Sequence, residues 1–311
     1  MSLTERVKRK ALDLGFQAVG VSRVTPDRPE ASRLGEWLSR DYHGEMTWMA
    51  RTAAKRKNPA LLLPGVRTIV SAGMNYYTED RPEGTRGQGR IARYARGQDY
   101  HRVLGERLES LASFLQQEAP DSRSCSYVDT GAVMEKAWAQ RAGIGWIGKH
   151  SNLVSGQYGS WLLLGEVLTT ADLDPDESGA DLCGTCTLCI KACPTGAITE
   201  PYVVDARRCL SYLTIEQRGK IPEDFQKALG NRLFGCDDCL DVCPYNHQAT
   251  PTAEPAFRAT TLTLNPDLDS LATQSANDFQ ASFHGSAIRR ITYKGLQRSV
   301  TIARKNTGGA R

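Results

Sequence analysis

The sequence predicts a mixed α/β domain followed by a small cysteine-rich module. Three observations predict it. Segments with helical apolar spacing alternate with short β-prone runs through the first 170 or so residues. Eight of the nine cysteines fall between Cys183 and Cys243, and Cys125 stands alone. An acidic stretch from Asp172 to Asp181, broken by Pro175 and Gly179, separates the two regions and reads as a linker. The expected division is therefore 1–178 for the α/β domain, 179–250 for the cysteine module and 251–311 for a short, basic C-terminal extension.

Residues 2–14 place Leu3, Val7, Ala11 and Leu14 on one helical face, and Ala18-Val19-Gly20-Val21 follows as a short strand. Glu30–Arg40 reads as a helix. Thr68–Met74, preceded by the turn signal Pro64-Gly65, reads as a buried strand. Tyr100–Glu118 carries Val103, Leu104, Leu108, Leu111, Phe114 and Leu115 at amphipathic helical spacing. Ser124–Val128 is expected as a strand ending at Asp129-Thr130-Gly131, Ala132–Arg141 as a helix and Trp161–Leu168 as a strand. No repeat at a solenoid period is present.

The chain has 311 residues, 24% charged and 40% hydrophobic, with a net charge of +4. That is a soluble, globular composition with room for a sizeable core. No apolar run approaches the ~18 residues of a membrane span, and the start, Met1 to Arg6, lacks a secretory stretch. A cytoplasmic protein without membrane contact is expected. A reducing cytosol disfavours disulfides, so clustered cysteines there point to metal or chemistry.

The first cysteine run is Cys183-x2-Cys186-x2-Cys189-x3-Cys193-Pro194. This is the bacterial ferredoxin pattern, in which three closely spaced thiolates wrap one [4Fe–4S] cubane and the fourth reaches the neighbouring cluster. The second run, Cys236-x2-Cys239-x3-Cys243-Pro244, is one ligand short, and Cys209 can supply it. The ligands then count to two sets. Cluster one takes Cys183, Cys186, Cys189 and the crossed-over Cys243; cluster two takes Cys236, Cys239, Cys209 and the crossed-over Cys193. Structural zinc would favour separate C-x2-C pairs over this run. A dicluster module needs only some 70 residues, so the long preceding domain argues for more than an electron carrier.

Other signals are weaker. Gly143-Ile-Gly145-Trp-Ile-Gly148 matches the dinucleotide fingerprint but follows an expected helix instead of a strand, so it reads better as a glycine-rich turn beside a flat cofactor. Asp129 is either a helix N-cap or an acid placed at a strand's carboxyl end. A lone Cys125 in a strand is expected to be inert. The five histidines form no visible ligand cluster. Two basic stretches, Arg86 to Arg107 and Arg289 to Arg311, make a polyanion partner plausible.

Taken together, several blocks resemble the epoxyqueuosine reductases, from about residue 5 to 300. They are Arg90–His101, Val128–Gly131 with Glu135-Lys136, Gly143–Lys149, Cys209–Glu216, Gly235–Asn246 and Phe283–Arg289. The resemblance implies a flavin-reductase-like cobalamin-binding domain, fed by the two clusters from an external electron donor. It implies reduction of epoxyqueuosine to queuosine at the wobble position of tRNA; nothing in the sequence argues against a monomer, which is the expected state. Asp129 matches the family's proton donor, a role that suits an alkoxide leaving group. Arg56, Tyr100, Lys149 and Ser211 are candidate cobalamin contacts by their place in the blocks. No Asp-x-His-x-x-Gly motif is present, so base-off cobalamin without a histidine ligand is expected. Many relatives run longer, with C-terminal helical repeats. The alternatives are a corrinoid iron–sulfur reductase like the reductive dehalogenases, whose usual twin-arginine signal is not seen, a dicluster electron carrier, and a nucleic-acid-binding module with structural clusters.

Overall fold

The computed structural model describes residues 1–26, 28–80, 82 and 84–308; Arg311 of the second basic stretch lies outside them. Ser2 starts α1 (Leu3–Asp13) with a reciprocal cap. Its hydroxyl accepts from the Glu5 N–H at 3.2 Å, and the Glu5 carboxylate accepts from the Ser2 N–H at 2.7 Å. Then follow β1 (Ala18–Arg23), α2 (Pro29–Ser39), the short α3 (Thr47–Arg51) and α4 (Ala53–Lys57), β2 (Thr68–Asn75) and β3 (Arg90–Ile91). Next come α5 (Tyr100–Glu118), β4 (Ser124–Tyr127), α6 (Glu135–Arg141), β5 (Trp146–Ile147), β6 (Leu153–Val154) and β7 (Leu162–Thr169).

The four longer strands expected from sequence form one sheet in the order β1-β2-β7-β4, with every neighbour antiparallel. The domain is therefore α+β. All eight residues of β2 are buried, as a central strand covered on both faces requires. The stripe Val103, Leu104, Leu108, Leu111 and Leu115 of α5 buries against this sheet. Gly20 lets α6 approach β1, since a Cβ there would stand 1.9 Å from the Ala142 carbonyl oxygen.

Three expectations change in detail. Helix α6 begins at Glu135 instead of Ala132, because Arg56 draws the carbonyls of Gly131 and Val133 out of helical register. The Gly143–Gly148 run leads into a β5–β6 hairpin, with Trp146 opposite Val154; Gly145 is needed there because a Cβ would meet the Val154 oxygen at 2.1 Å. The Asp172–Asp181 stretch is irregular but docked. The Asp176 carboxylate accepts from the Val21 N–H at 2.8 Å and pairs with Lys8, and the Gly179 N–H reaches the Gln140 carbonyl at 2.8 Å.

The cysteine module contains α7 (Leu188–Ala192), β8 (Ile198–Glu200), β9 (Val203–Val204), α8 (Leu210–Ile215), α9 (Glu223–Leu229), β10 (Arg232–Phe234) and α10 (Asp238–Asp241). Strand β10 pairs in parallel with β3, joining the module to the first domain. Beyond it, α11 (Thr261–Leu264), α12 (Leu268–Thr273), α13 (Ala276–Ser282) and α14 (Tyr293–Thr307) pack back onto the body. Phe279, Phe283, Leu296 and Val300 share one buried core with α5 and the sheet. The extension is thus a folded helical layer.

Much of its charge is spent internally. Arg290 pairs with Glu216 at 3.0 Å, Arg304 with Asp269 at 2.9 Å, and Arg298 donates to the carbonyls of Leu213, Gln217 and Gly219. The first basic stretch behaves likewise: Arg93 pairs with Asp241, Arg107 with Glu254, and Arg96 donates to the Ile91 carbonyl. Arg289, Lys294 and Lys305 stay exposed.

Candidate functional site

The eight module thiols fall into two electrostatic neighbourhoods. Cys189 feels Cys183, Cys186 and Cys243, and Cys243 feels Cys183 and Cys186. Cys239 feels Cys209, Cys236 and Cys193, and Cys209 feels Cys193. These are the two crossed sets of four that the spacing predicts, Cys209 included. Burial pushes the Cys236 thiol up to about 12 and the Cys239 thiol well above its ordinary value. Two sets of four neighbouring thiols are the donor set that two [4Fe–4S] clusters require. Cys186 is exposed while Cys189 is buried, which turns one edge of the first set outward.

A cavity of about 840 Å³ is lined by Trp37, Met49, Arg56, Glu135, Lys136 and Tyr202, among others. That lies at the upper end of small-molecule sites. Lys136 on its wall donates to the Ser151 carbonyl and the Asn152 side-chain oxygen, both at 2.9 Å. Burial lowers the Lys136 pKa, against the pull of Glu135, Asp129, Cys239 and Cys209. The second thiol set therefore lies next to this wall. Burial, reinforced by the Asp129 charge, pushes Glu135 up to about 7, and its Oε1 is buried without a hydrogen-bond partner. An orphaned polar atom on the wall of a large cavity is what a bound polar cofactor would satisfy.

Asp129 sits just past β4 with a left-handed backbone, φ 48°. It does not cap α6, whose N-terminal flanking residue, Met134, offers no side-chain hydrogen bond. Of the two readings open from sequence, the capping one fails. The Asp129 carboxylate instead lies 3.0 Å from His101 Nε2, while His101 Nδ1 lies 2.7 Å from Asp99. Asp99 also caps α5 through the His101 N–H at 3.0 Å, so the helix start that positions His101 also orients its ring. The Asp129 side chain keeps 59% of its accessible surface and is open to an incoming molecule.

Burial alone would lower the His101 pKa, but hydrogen bonds to Asp129 and Asp99 and their charges raise it to about 9. Burial would raise Asp129, but the His101 hydrogen bond and charge, with the Tyr100 hydroxyl, hold it below the usual carboxylate range. At neutral pH the unit therefore keeps its proton mainly on His101, between two carboxylates.

The other candidates separate. Arg56 is buried and lines the cavity, and its guanidinium donates to the carbonyls of Val133 at 2.7 Å and Gly131 at 3.0 Å. It clamps the loop that follows Asp129. Tyr100 stacks on His101, ring centroids 4.2 Å apart, and its hydroxyl bonds Asp129; it belongs to the acid. Ser211 lies in the first turn of α8, where its N–H and that of Tyr212 face the Cys209 thiol. Lys149 is directed into the loop of the first cysteine run. Lys149 thus contacts the loop of the first thiol set and Ser211 the Cys209 thiol, and neither lines the cavity. His101 was missed by sequence reasoning. The signal was its place two residues after an N-capping Asp, but only the fold brings Asp129 to it.

Residues 182–246 match the "4Fe-4S double cluster binding domain" family, and residues 56–130 match "Epoxyqueuosine reductase QueG, DUF1730". The chain is 46% identical over 285 residues to the epoxyqueuosine reductase of Synechocystis sp., covering 90% of this chain and 98% of that one. It is 40% identical over 308 residues to that of Escherichia coli, covering 98% and 81%. Among solved structures, it is similar to an epoxyqueuosine reductase crystallised with an epoxyqueuosine-modified tRNA stem loop, with a TM-score of 0.92 at 34% identity over 99% of this chain and 82% of that one. It is also similar to the Bacillus subtilis enzyme with its aspartate-bearing catalytic loop swung out of the active site, with a TM-score of 0.91 at 33% identity and the same coverage.

Proposed function

The chain belongs to the epoxyqueuosine reductases, and we propose that it reduces epoxyqueuosine to queuosine at the wobble position of tRNA, with Asp129 as proton donor. The observation that carries this reading is a meeting of two features at one cavity wall. Lys136 and Glu135 line the cavity; both feel Asp129, and Lys136 also feels Cys209 and Cys239 of the second thiol set.

Turning an epoxide into an alkene and water takes two electrons and two protons. Cys183, Cys186, Cys189 and Cys243 would hold cluster one and Cys236, Cys239, Cys209 and Cys193 cluster two. The pair would supply the electrons, the exposed Cys186 marking the side open to an external donor and Cys209 and Cys239 the side near the cavity wall. Arg56, Glu135 and Lys136 would hold cobalamin in that cavity, in a flavin-reductase-like domain. Cobalamin, when bound, would supply the low-valent cobalt chemistry that opens the epoxide ring. Asp129 passes a proton to the epoxide oxygen and is resupplied from His101, whose charge Asp99 stabilises. Arg56 keeps the Asp129 loop in place by holding its carbonyls. The tRNA presents its modified base from solution to the open face of Asp129. The enzyme works in the cytoplasm as a monomer.

The test is anaerobic. The clusters are reconstituted, cobalamin and a reductant are added, and tRNA containing epoxyqueuosine is assayed for queuosine by nucleoside mass spectrometry. Queuosine that forms only with cobalamin, and falls by ~10²–10⁴-fold in Asp129→Ala, is expected. No queuosine from a protein that holds its iron and binds cobalamin would overturn the tRNA assignment and leave a corrinoid iron–sulfur reductase of another substrate.

A further inference from the structure

Lys149 stands in the tight turn between β5 and β6, far in sequence from the cysteines, and is 9% exposed. Its ammonium donates to the carbonyl oxygen of Gly184 at 2.6 Å and to that of Cys186 at 2.9 Å. Both acceptors belong to the loop that carries the first three cysteines. The turn is itself fixed: the Ser151 N–H donates to the Gly148 carbonyl at 2.8 Å, and the Lys149 carbonyl accepts from the Tyr202 N–H at 2.9 Å. The nearby acid is Asp181, which feels Lys149 but is engaged by the Cys183 N–H at 2.8 Å and by the Tyr202 hydroxyl. The first domain thus places a buried cation against the backbone of a cysteine ligand.

We propose that Lys149 tunes cluster one, raising its reduction potential relative to a neutral residue at this position. A [4Fe–4S] cluster held by thiolates gains a negative charge on reduction. A fixed cation close to it, poorly screened because it is buried, stabilises the reduced form more than the oxidised one. Cluster potentials respond to local charge, hydrogen bonding and exposure in this way. Cluster one has an exposed edge at Cys186, where electrons enter, so the effect of Lys149 is to make the entry point easier to reduce. This rests on the reading that Cys183, Cys186, Cys189 and Cys243 hold a cluster.

The experiment is a redox titration followed by electron paramagnetic resonance, on full-length wild type, Lys149→Gln, Lys149→Met and Lys149→Arg, each with its iron counted. Wild type is expected to hold about eight irons and show two midpoints. In the Gln and Met variants one midpoint falls by a factor of ten or more in the one-electron equilibrium, ~59 mV, while the other stays. The Arg variant, which keeps the charge, stays near wild type. Equal potentials in all four proteins overturn the proposal. So does loss of cluster one in Gln and Met with retention in Arg, since Lys149 would then only assemble the loop. A wild type that cannot hold eight irons would fail the cluster assignment itself, whatever Lys149 does.

Discussion

Replacing His101 with Asn tests where the catalytic proton is kept. His101 is held at about 9 by Asp99 and Asp129, two units above neutral, so ~99% of molecules carry the shared proton at pH 7. Asn keeps a hydrogen-bonding side chain but cannot store the proton. Asp129 must then hold it alone; at an ordinary carboxylate value near 3.9, only about one molecule in a thousand is protonated at pH 7. The expected loss in single-turnover queuosine formation is ~10²–10³-fold at pH 7, within the range general acids contribute. The variant should recover roughly tenfold for each unit the pH is lowered toward 5. Wild type should instead stay level through neutrality and decline as the pH rises through about 9. The same interaction raises the folded-state value of His101 above its ordinary 6.5. Its stabilisation is therefore full below that value and lost as pH rises through about 9. A variant within threefold of wild type at pH 7, or with the wild-type profile, would refute the relay.

Two further outcomes follow from the geometry. Arg56→Gln removes two guanidinium bonds to the Asp129 loop, each worth ~1.5–3 kcal/mol when charge-assisted. Amide exchange over residues 128–134 should quicken at least tenfold and queuosine formation should slow; unchanged exchange there would disprove the clamp. Cys209→Ala removes a ligand of cluster two and should leave the protein with about four irons instead of about eight, whereas Cys125→Ala should keep them all, as iron counting with protein quantitation would show.

The cysteine module was readable because cluster ligation imposes short, fixed spacings that survive in the sequence itself, and residues 182–246 match a double-cluster family. Counting what the second run lacked pointed to Cys209, which stands near Cys193 and Cys239; the iron count of Cys209→Ala tests its ligation. The sheet was readable for a similar reason: Thr68–Met74 and Trp161–Leu168 are long apolar runs that only a buried strand could use. The Asp99–His101–Asp129 contact was hidden because it joins residues from two elements. Asp129 is brought to His101 by a left-handed turn, and no local pattern records such a turn. Lys149 and Ser211 lay in the right blocks, but which cofactor each serves depends on the direction of a side chain. Which cations of the basic C-terminal stretch stay available was not legible in the sequence: Arg290, Arg298 and Arg304 have partners within the fold, while Arg289, Lys294 and Lys305 stay exposed.

The core shared by the sheet, α5 and the last helices sets an order on how the protein can be made. The sheet strands and every cysteine of the module leave the ribosome before α14, yet Leu296 and Val300 of that helix close the same hydrophobic interior. Until they arrive, the early strands lack part of their cover, and the thiols wait in a chain that has not finished folding. Iron delivery and protection from oxygen are thus demands of biosynthesis as much as of catalysis. A cell short of either would accumulate chains that stall before maturation, and these would be the first targets of its proteases.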